Sequence, residues 1–324
     1  MPDTTALLGG GGFIGRHLAA ALVAAGHRVR IYSRHFTHRL PGVEYHQGLI
    51  EDQEAVGQWV EGADQLLYLA HNTSLTPFRD HDRFALVGNL EPFVSTLHTA
   101  HAAGVRRVLL VSSGGAIYGP TGREAVPEEH PPRPASAYGL AKLAMEHYLR
   151  MFGAQHEVAH LTIRPSNAYG PGQAGGREQG FIGVALRNIL LGRPVEIWGD
   201  TTITKDYVYA PDLAEAVVRL LHCGFDQQTY NVCSGTSVSL GEILDLIRRI
   251  VDRPFDLRVL PPRGNDVRQV HLDRSRLSQR TGWRPATSLA EGIAATWAWM
   301  SSPAMQTMLS GVLPVEPLPL RPSS

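Results

Sequence analysis

Short apolar runs alternate with longer amphipathic stretches through the first half of the chain. The predicted strands fall at residues 6–8, 28–32, 43–48, 64–70 and 105–113; residues 28–32 alternate polar and apolar positions, whereas residues 64–70 read as a buried strand and residues 105–113 are strongly β-branched. Between them, residues 16–25, 51–61 and 89–103 repeat apolar positions at helical spacing. This βαβ order predicts an α/β protein with a parallel, doubly wound sheet.

A cluster of glycines joins the first predicted strand to the first predicted helix. Gly9, Gly12 and Gly15 give the spacing G-x-x-G-x-x-G, with Phe13 and Ile14 at the start of the helix. Small residues let the backbone turn tightly and approach the pyrophosphate of a dinucleotide, whose charge is favourable at a helix N-terminus. A flexible linker is the alternative, because a glycine motif alone is weak. A linker rarely runs straight into a regular amphipathic helix, so the cluster predicts a dinucleotide site.

The residues at the ends of two predicted strands give information about the cofactor. After the second strand, an acidic residue would bind the ribose diol of NAD, whereas a basic one suits the 2′-phosphate of NADP. Ser33-Arg34 contains no carboxylate, which favours NADP slightly; an Arg34 that points into solvent is the alternative. The strand at residues 64–70 ends in Leu69-Ala70, where a small residue lets the cofactor lie close to the backbone.

A tyrosine and a lysine stand four positions apart in the helix predicted to run from residue 138 to about 152. Residues i and i+4 share one helix face, so Tyr138 and Lys142 can meet. An ammonium group near a phenol favours the phenolate and lowers the pKa of the phenol. Such pairs are common on helix surfaces without any role. Because this pair follows a dinucleotide loop and repeated βα units in the chain, it predicts acid–base catalysis.

Composition excludes several other classes. Thirty Lys and Arg balance thirty Asp and Glu, which gives no general attraction for nucleic acid or an anionic membrane. No apolar run is long enough to span a bilayer, and the first residues do not resemble a secretory signal. The two cysteines form no CxxC pair, and the scattered histidines lack metal-ligand spacing. We therefore expect a cytoplasmic protein without a metal site.

Further motifs follow in a fixed order along the chain. They are Ser112-Ser113 with Tyr118-Gly119, Arg164-Pro165-Ser166-Asn167-Ala168-Tyr169-Gly170-Pro171-Gly172, Asp206-Tyr207-Val208-Tyr209 with Asp212-Leu213-Ala214, and Gly282-Trp283-Arg284-Pro285. With the glycine loop and the Tyr138–Lys142 pair, they resemble the extended short-chain dehydrogenase/reductases of the NAD-dependent epimerase/dehydratase family. The resemblance implies a Rossmann-type sheet with a smaller mixed α/β substrate-binding domain.

The same resemblance implies domain limits and an assembly. Residues 1–170 with 204–234 would form the dinucleotide-binding domain, and residues 171–203 with 235–300 the smaller one, with Trp283 in its core. Residues 301–324 are rich in proline and are expected to be poorly ordered. The helices around residues 89–103 and 140–152 are similar to the pair that forms the dimer interface in this family, so a homodimer is expected.

The catalytic roles also come from the resemblance. Tyr138 would take the proton of a sugar hydroxyl while hydride passes to the nicotinamide, and Lys142 would tune Tyr138 and hold the nicotinamide ribose. The family usually has a Ser or Thr four residues before the Tyr of its Tyr-Gly pair, but Gly114 stands there. Ser113 can replace it only if the chain has left strand geometry, because strict alternation points Ser113 to the other face. The acidic residue that dehydratases and decarboxylases carry next is absent.

Other positions carry the binding roles. Ser33 replaces the ribose-binding acid, and Leu49 stands where relatives often have an Asp facing the adenine, which leaves backbone groups of Leu49 and Ile50 for that ring. Lys205 replaces an Arg, which keeps the charge for the substrate diphosphate but loses the bidentate fork. The resemblance further assigns Asn167 and Arg263 to that diphosphate and Phe181 to the nucleobase wall. A surface cation without a ligand is the alternative for Lys205 and Arg263.

Three functions are compatible with these residues. The leading one is NAD(P)-dependent epimerisation of a nucleotide-diphospho sugar, most simply at C4, through a keto-sugar. An NADPH-dependent keto-sugar reductase would suit Ser33-Arg34, and a non-catalytic dinucleotide sensor would explain Gly114. An epimerase keeps its cofactor and needs no reductant, whereas a reductase consumes NADPH.

Overall fold

The computed structural model describes residues 3–36, 39–71, 82–122, 124–173, 180–262, 267–303 and 305. Its strands are β1 Thr4–Leu8, β2 Arg28–Ser33, β3 Val43–Gln47, β4 Gln65–Tyr68, β5 Arg107–Val111, β6 Ala159–Pro165, β7 Asn167–Tyr169, β8 Val195–Trp198, β9 Thr204–Tyr209, β10 Thr229–Val232, β11 Ser237–Ser239 and β12 Leu257–Leu260. Its helices are α1 Phe13–Ala24, α2 Gln53–Val60, α3 Asp82–Ala102, α4 Gly114–Ile117, α5 Ala137–His156, α6 Phe181–Leu190, α7 Ala210–Cys223, α8 Leu240–Ile250, α9 Ser275–Thr281 and α10 Leu289–Met300.

Within these ranges, seven strands form one sheet in the order β10-β6-β5-β4-β1-β2-β3. Every neighbouring pair in the sheet is parallel. The order reverses at β1, with β2 and β3 on one side and β4, β5 and β6 on the other. In such sheets, ligands bind in the crevice at the carboxyl ends of the strands where the order reverses. The predicted doubly wound, Rossmann-type sheet is confirmed, and it directs attention to the end of β1.

Two apolar cores cover the two faces of this sheet. Leu7 of β1 lies in one core with Leu18 and Leu22 of α1. Leu8 lies in the other core with Phe93 of α3. Successive side chains of a strand point to opposite faces, so β1 is buried on both. All five residues of β1 are buried, and this firmly places the glycine loop that follows it.

A third core lies outside the large sheet. It combines α6, α8 and α10 with β8 and β9, and its fully buried members include Ile182, Ile243 and Ile293. The mixed sheet β11-β9-β7 and the parallel pair β12-β8 lie in this part of the molecule. A separate core supports the proposed smaller domain, whose limits along the chain stay a prediction.

The expected position of Trp283 is wrong. Its indole does not pack in the third core but in a core of the large sheet, together with Leu213, Tyr230 and Leu277. The reason is that α9, which ends just before Trp283, packs on α7 and β10. Residues after β10 therefore also contribute to the large sheet's core.

None of the helices in the described ranges combines the length and the apolar character needed to cross a membrane. Two predictions fall where no description is given. Arg263 lies outside the described residues, and so does the tail apart from residues 301–303 and 305.

Candidate active site

A cavity of about 430 Å³ opens at the carboxyl ends of the central strands. Its wall combines the glycine loop, the end of β2, the residues after β4 and β5, the start of α5 and the residues after β6. The residues predicted for the site that line it are Gly9, Gly12, Phe13, Ile14, Gly15, Ser33, Arg34, Ile50, Leu69, Ala70, Ser113, Tyr138, Lys142 and Asn167. The fold thus brings both halves of the predicted site, the dinucleotide loop and the acid–base pair, to one cavity.

The glycine positions of the loop differ in whether the structure leaves room for a side chain. Gly9 has φ +83°, and a Cβ there would lie 2.6 Å from the backbone nitrogen of Ala70. A Cβ at Gly15 would lie 2.5 Å from the carbonyl oxygen of Gly10, so neither position accepts a side chain. At Gly12 the nearest atom to a Cβ is the carbonyl oxygen of Gly9 at 3.5 Å, an ordinary contact. A Cβ at Gly12 therefore fits the protein itself, and the position faces the cavity.

The start of α1 suits a phosphate. Gly12 is the N-cap of α1. Glycine has no side chain, so the N-cap residue accepts no hydrogen bond from the first N–H groups of the helix through a side chain. Phe13, Ile14 and Gly15 form the first turn and line the cavity. Uncapped N–H groups at a helix N-terminus carry partial positive charge and favour an anion. The residues present therefore fit the pyrophosphate of a nicotinamide dinucleotide.

Gly12→Val tests this fit. Gly12 lines the cavity and a Cβ there makes only an ordinary contact with the protein, so a branched side chain should take up cavity space and we expect dinucleotide affinity to fall roughly tenfold or more, about 1.4 kcal/mol. The free energy of unfolding of the cofactor-free protein should fall by no more than about 1 kcal/mol, as for a changed helix cap. Calorimetric titration with NAD and NADP and urea denaturation measure the two effects.

The control is Gly62→Ala, which should behave in the opposite way. Gly62 has φ +72° with nothing within 4 Å of an added Cβ, so the substitution strains the backbone far from the cavity and should change stability but not affinity. Wild-type affinity in Gly12→Val would mean that the loop does not hold the dinucleotide.

Two pairs of residues, Ser33-Arg34 and Leu49-Ile50, were predicted to contact the adenosine part of the dinucleotide. Ser33 and Arg34 line the cavity at the end of β2, where the amide of Gln47 donates to the Arg34 carbonyl at 3.0 Å. Ile50 also lines the cavity, whereas Leu49 is not part of the lining and is 57% exposed. The Leu49 carbonyl accepts a hydrogen bond from the Tyr32 hydroxyl at 3.2 Å. The cofactor-binding roles of these residues stay predictions.

Tyr138, Lys142 and Ser113 lie together in the cavity. Ser136 caps α5 by accepting a hydrogen bond from the Gly139 N–H at 3.1 Å, so the helix begins just before Tyr138. One turn later, the Lys142 ammonium donates to the carbonyl of Val111, the last residue of β5, at 3.0 Å. The Ser113 hydroxyl lies close enough to the Tyr138 phenol to lower its pKa.

Ser113 reaches Tyr138 because the chain leaves strand geometry in time. β5 ends at Val111, and Ser113 is the N-cap of the short helix α4, so strand alternation no longer sets its direction. Gly114 faces elsewhere: a Cβ there would collide with the Leu272 side chain and lie 3.1 Å from the Arg164 carbonyl oxygen. Within this backbone, Ser113 is therefore the hydroxyl that is placed against the tyrosine.

Burial dominates the electrostatics of the pair. It raises the pKa of Tyr138, and the Ser113 hydrogen bond partly lowers it again. Burial lowers the pKa of Lys142 to about 8, against the nearby negative charge of Glu146. Glu146 forms a buried ion pair with Arg164 at 2.6 Å. Without a ligand the neutral phenol is favoured, and a positive charge on the nicotinamide would favour the phenolate.

The residues predicted for the substrate are more dispersed. Asn167 lines the cavity and donates from its amide to the Asp206 carbonyl at 2.9 Å. Phe181 begins α6 and packs against the third core, while its neighbour Gly180 lines the cavity. Lys205 is not part of the lining, and its ammonium donates to the carbonyl of Val267. The substrate roles of these residues, and that of Arg263, stay predictions.

His71 is a site residue that the sequence analysis missed. It follows Leu69-Ala70 beyond β4 and lines the cavity. Its ring meets that of Tyr138 edge-on, with the centroids 4.5 Å apart and an angle of 89° between the planes. Its position just past the carboxyl end of a central strand, where ligands bind in this architecture, was the available signal. Gln173 also lines the cavity, and no sequence pattern indicated it.

Known proteins are similar to this chain over most of its length. The model of the NAD dependent epimerase/dehydratase family matches residues 6–233. A UDP-glucose 4-epimerase of Mycolicibacterium smegmatis is 33% identical over 302 residues, which cover 90% of this chain and 96% of that protein. A GDP-6-deoxy-D-mannose reductase of Pseudomonas aeruginosa is 30% identical over 295 residues, 88% of this chain and 92% of that protein. The structure of the Thermus thermophilus UDP-glucose 4-epimerase in complex with NAD matches with a TM-score of 0.84 at 28% identity, covering 91% of this chain and 98% of that one.

Proposed function

Because the chain belongs to the NAD dependent epimerase/dehydratase family, we propose that it epimerises a nucleotide-diphospho sugar, most simply at C4, with a retained NAD or NADP. One observation carries the proposal: Ser113, Tyr138 and Lys142 line the same cavity as the glycine loop and the first turn of α1, whose N-cap residue has no side chain. That arrangement sets an acid–base tyrosine beside a dinucleotide site. Oxidation and reduction of a sugar hydroxyl need this combination.

The chain's own residues would handle the proton. A nicotinamide dinucleotide held by the glycine loop at the start of α1 would supply reversible hydride transfer with the sugar carbon. Tyr138, as phenolate, takes the proton of the C4 hydroxyl, while Ser113 donates a hydrogen bond to the reacting oxygen and Lys142 favours the phenolate by its charge. When the keto-sugar has turned in the cavity, Tyr138 returns the proton to the same oxygen. Proton and hydride are both restored, so no external reductant is consumed.

Two measurements test the epimerase. Denaturation of the purified protein followed by mass spectrometry identifies any released NAD, NADP and sugar nucleotide. Incubation with UDP-, GDP- and dTDP-hexoses without added reductant should then interconvert one C4 pair, as followed by chromatography. A protein that binds dinucleotide but converts none of these sugars would contradict the proposal.

A keto-sugar reductase is the second candidate. A relative named as a GDP-6-deoxy-D-mannose reductase is 30% identical to this chain, and Ser33-Arg34 at the cavity wall carries no carboxylate to repel a 2′-phosphate. Absorbance at 340 nm separates the two enzymes. A reductase consumes one NADPH for each keto-sugar reduced, whereas the epimerase leaves the absorbance unchanged through many turnovers.

Ser113→Ala should lower turnover roughly 10- to 100-fold, as expected for a lost hydrogen bond to a charged group. The Ser113 hydroxyl lowers the pKa of Tyr138, so its removal raises that pKa. Because the base form of Tyr138 is needed, the acidic limb of the pH profile of kcat/KM should move to higher pH. Ser112→Ala, which changes the neighbouring hydroxyl, should leave the limb in place. An unmoved limb in Ser113→Ala would remove Ser113 from the acid–base group.

We also propose a homodimer formed through α3 and α5. The two helices pack side by side, and Val87, Leu140 and Met151 on them are each about half exposed. Apolar side chains that remain exposed on a helix pair suit a second copy of the same pair. Light scattering should give about twice the chain mass of 35.4 kDa, and the mass of one chain would contradict the dimer.

The cytoplasmic location remains part of the proposal. Cys223 and Cys233 are both free thiols, which suits a reducing compartment. Cell fractionation with an antibody to the chain tests this, and recovery from the periplasm or medium would contradict it.

A further inference from the structure

Two neighbouring side chains at the start of α1, Arg16 and His17, contact the turn that leads to the cavity-lining residue Gln173. Arg16 and His17 directly follow Phe13, Ile14 and Gly15, the first-turn residues of the cavity wall. Both side chains contact the turn at residues 170–173. This turn follows the cavity-lining residue Ala168 in the chain, and its last residue, Gln173, also lines the cavity. The start of α1 is thus joined directly to a segment more than 150 residues away.

His17 makes the first of these contacts. Its Nε2 lies 2.7 Å from the carbonyl oxygen of Pro171. A carbonyl oxygen only accepts hydrogen bonds, so Nε2 carries the proton and donates it. Burial lowers the pKa of His17, which the hydrogen bond to Pro171 and the charge of Arg16 modify in opposite directions. The Phe13 ring meets the imidazole edge-on at 5.6 Å, so a cavity-lining residue also holds it in place.

Arg16 makes the second contact, and Gly172 is shaped to receive it. Gly172 has φ +96°, and a Cβ there would lie 2.6 Å from Nη1 and 2.7 Å from Cδ of Arg16. Burial lowers the pKa of the guanidinium, since it is partly removed from water. Among the described residues, Arg16 has no ion pair with a carboxylate. An unneutralised cation therefore stands one turn from the helix end that suits a phosphate.

The turn that receives both side chains is itself anchored. The backbone N–H of Gln173 donates to the carbonyl of Gly170 at 3.3 Å, and its side-chain amide donates to that of Ala168 at 3.0 Å. A Cβ at Gly180 or at Gly183 would collide with the Gln173 side chain, so both glycines make room for it. The turn is tied to β7 on one side and packed against the start of α6 on the other.

We propose that Arg16, His17 and the turn at residues 170–173 form a clasp that joins the two cavity walls over the phosphate part of the bound dinucleotide and limits the rate at which it leaves. This rests on the proposed function, which needs a dinucleotide between these walls. An enzyme that returns the hydride to the same sugar benefits from a cofactor that stays bound between turnovers. The clasp supplies this retention by holding the walls together with the His17–Pro171 hydrogen bond and the partly buried Arg16 guanidinium against Gly172.

The test measures the dissociation rate of the dinucleotide, not only activity. Protein loaded with NAD, or with NADP if that form copurifies, is mixed with a large excess of etheno-NAD or etheno-NADP. The loss of the original nucleotide is followed by rapid desalting and mass spectrometry. His17→Ala should release it roughly threefold to tenfold faster than wild type, as expected for one lost hydrogen bond. His17→Gln keeps an amide donor and should restore part of the slow release.

Arg16→Met provides an independent arm. It removes the cation while keeping much of the side chain's length, and we again expect faster release. Release from wild type should accelerate as salt is raised, because salt screens the attraction between a guanidinium and phosphate, whereas release from Arg16→Met should respond less. This arm also keeps the proposal testable if His17→Ala does not fold.

The matched control is His27→Ala. His27 also makes one hydrogen bond at the large sheet, between Nδ1 and the Thr5 hydroxyl at 3.0 Å, but that bond joins the segment after α1 to β1 and not to the turn at residues 170–173. It should release the dinucleotide at the wild-type rate. Wild-type release from folded His17→Ala and Arg16→Met would overturn the clasp and leave the proposed function intact. Failure of the wild-type protein to bind either dinucleotide would instead count against the proposed function.

Discussion

Tyr138→Phe lowers turnover roughly 10²- to 10⁴-fold, the usual contribution of a positioned acid–base group, and leaves the dinucleotide bound. The substitution removes one oxygen and keeps the ring that packs edge-on against His71, so the shape of the cavity is retained. The variant loses the group that the Ser113 hydroxyl contacts and that would take the sugar proton. Steady-state kinetics measure turnover, and the absorbance of released nucleotide measures cofactor content.

Tyr148→Phe is the control for this substitution. Tyr148 lies on the same helix, and its hydroxyl contacts His98 at 3.0 Å instead of reaching the cavity. A dinucleotide sensor built on this fold makes a different prediction: wild type would convert no sugar nucleotide, and Tyr138→Phe would keep the interaction with its partner. Turnover by Tyr138→Phe at the wild-type rate would exclude Tyr138 as the acid–base group.

Lys142→Met is expected to change activity and stability in opposite directions. Turnover should fall roughly 10²-fold, because the positive charge that favours the phenolate is lost. The free energy of unfolding of the cofactor-free protein should rise by roughly 0.5–2 kcal/mol at pH 7. Lys142 is 3% exposed, and burial of its ammonium is costly, whereas a methionine of similar length is suited to the same site. Urea denaturation of protein stripped of nucleotide measures the second effect.

The pH dependence of this gain follows from the lowered pKa of Lys142, about 8 in the folded chain against a usual 10.5. Below pH 8 the lysine is charged in both states, so the full cost of burying the charge is present. Between pH 8 and 10.5 the folded state loses the proton while the unfolded state keeps it, so wild-type stability rises relative to Lys142→Met. The advantage of Lys142→Met should therefore be largest below pH 8 and shrink above it. A less stable Lys142→Met at pH 7 would mean that the bond to Val111 outweighs the cost of burial.

Much of the fold was predictable from local patterns. The apolar runs coincide with β1 to β5, and the boundaries mostly differ by one to a few residues, apart from α3, which begins earlier than predicted. Buried parallel strands such as β1, β4 and β5 leave apolar runs that the sequence shows directly, whereas β2 and β3 are only partly buried or exposed. The Tyr138–Lys142 pair was predictable for a similar reason, because the helix alone sets both residues on one face.

Other features depended on where elements end and on what packs against them. Ser113 could face Tyr138 only if the chain had left strand geometry before residue 113. This condition is met because β5 ends at Val111 and Ser113 is the N-cap of α4. Trp283 was assigned to the wrong core because nothing near it in the chain indicates that α9 packs on α7. The contact of His71 with Tyr138 joins residues from two elements that only the sheet brings together.

The sequence by itself determined the order of strands and helices along the chain, the glycine loop between β1 and α1 and the four-residue spacing of Tyr138 and Lys142, because each depends on residues that are neighbours in the chain. The tertiary structure alone decided that Ser113 rather than Gly114 faces Tyr138, that His71 lies against it, and that α1 meets the turn at residues 170–173. These contacts join distant residues, and they depend on packing distances of a few ångströms that local hydrophobic patterns do not encode.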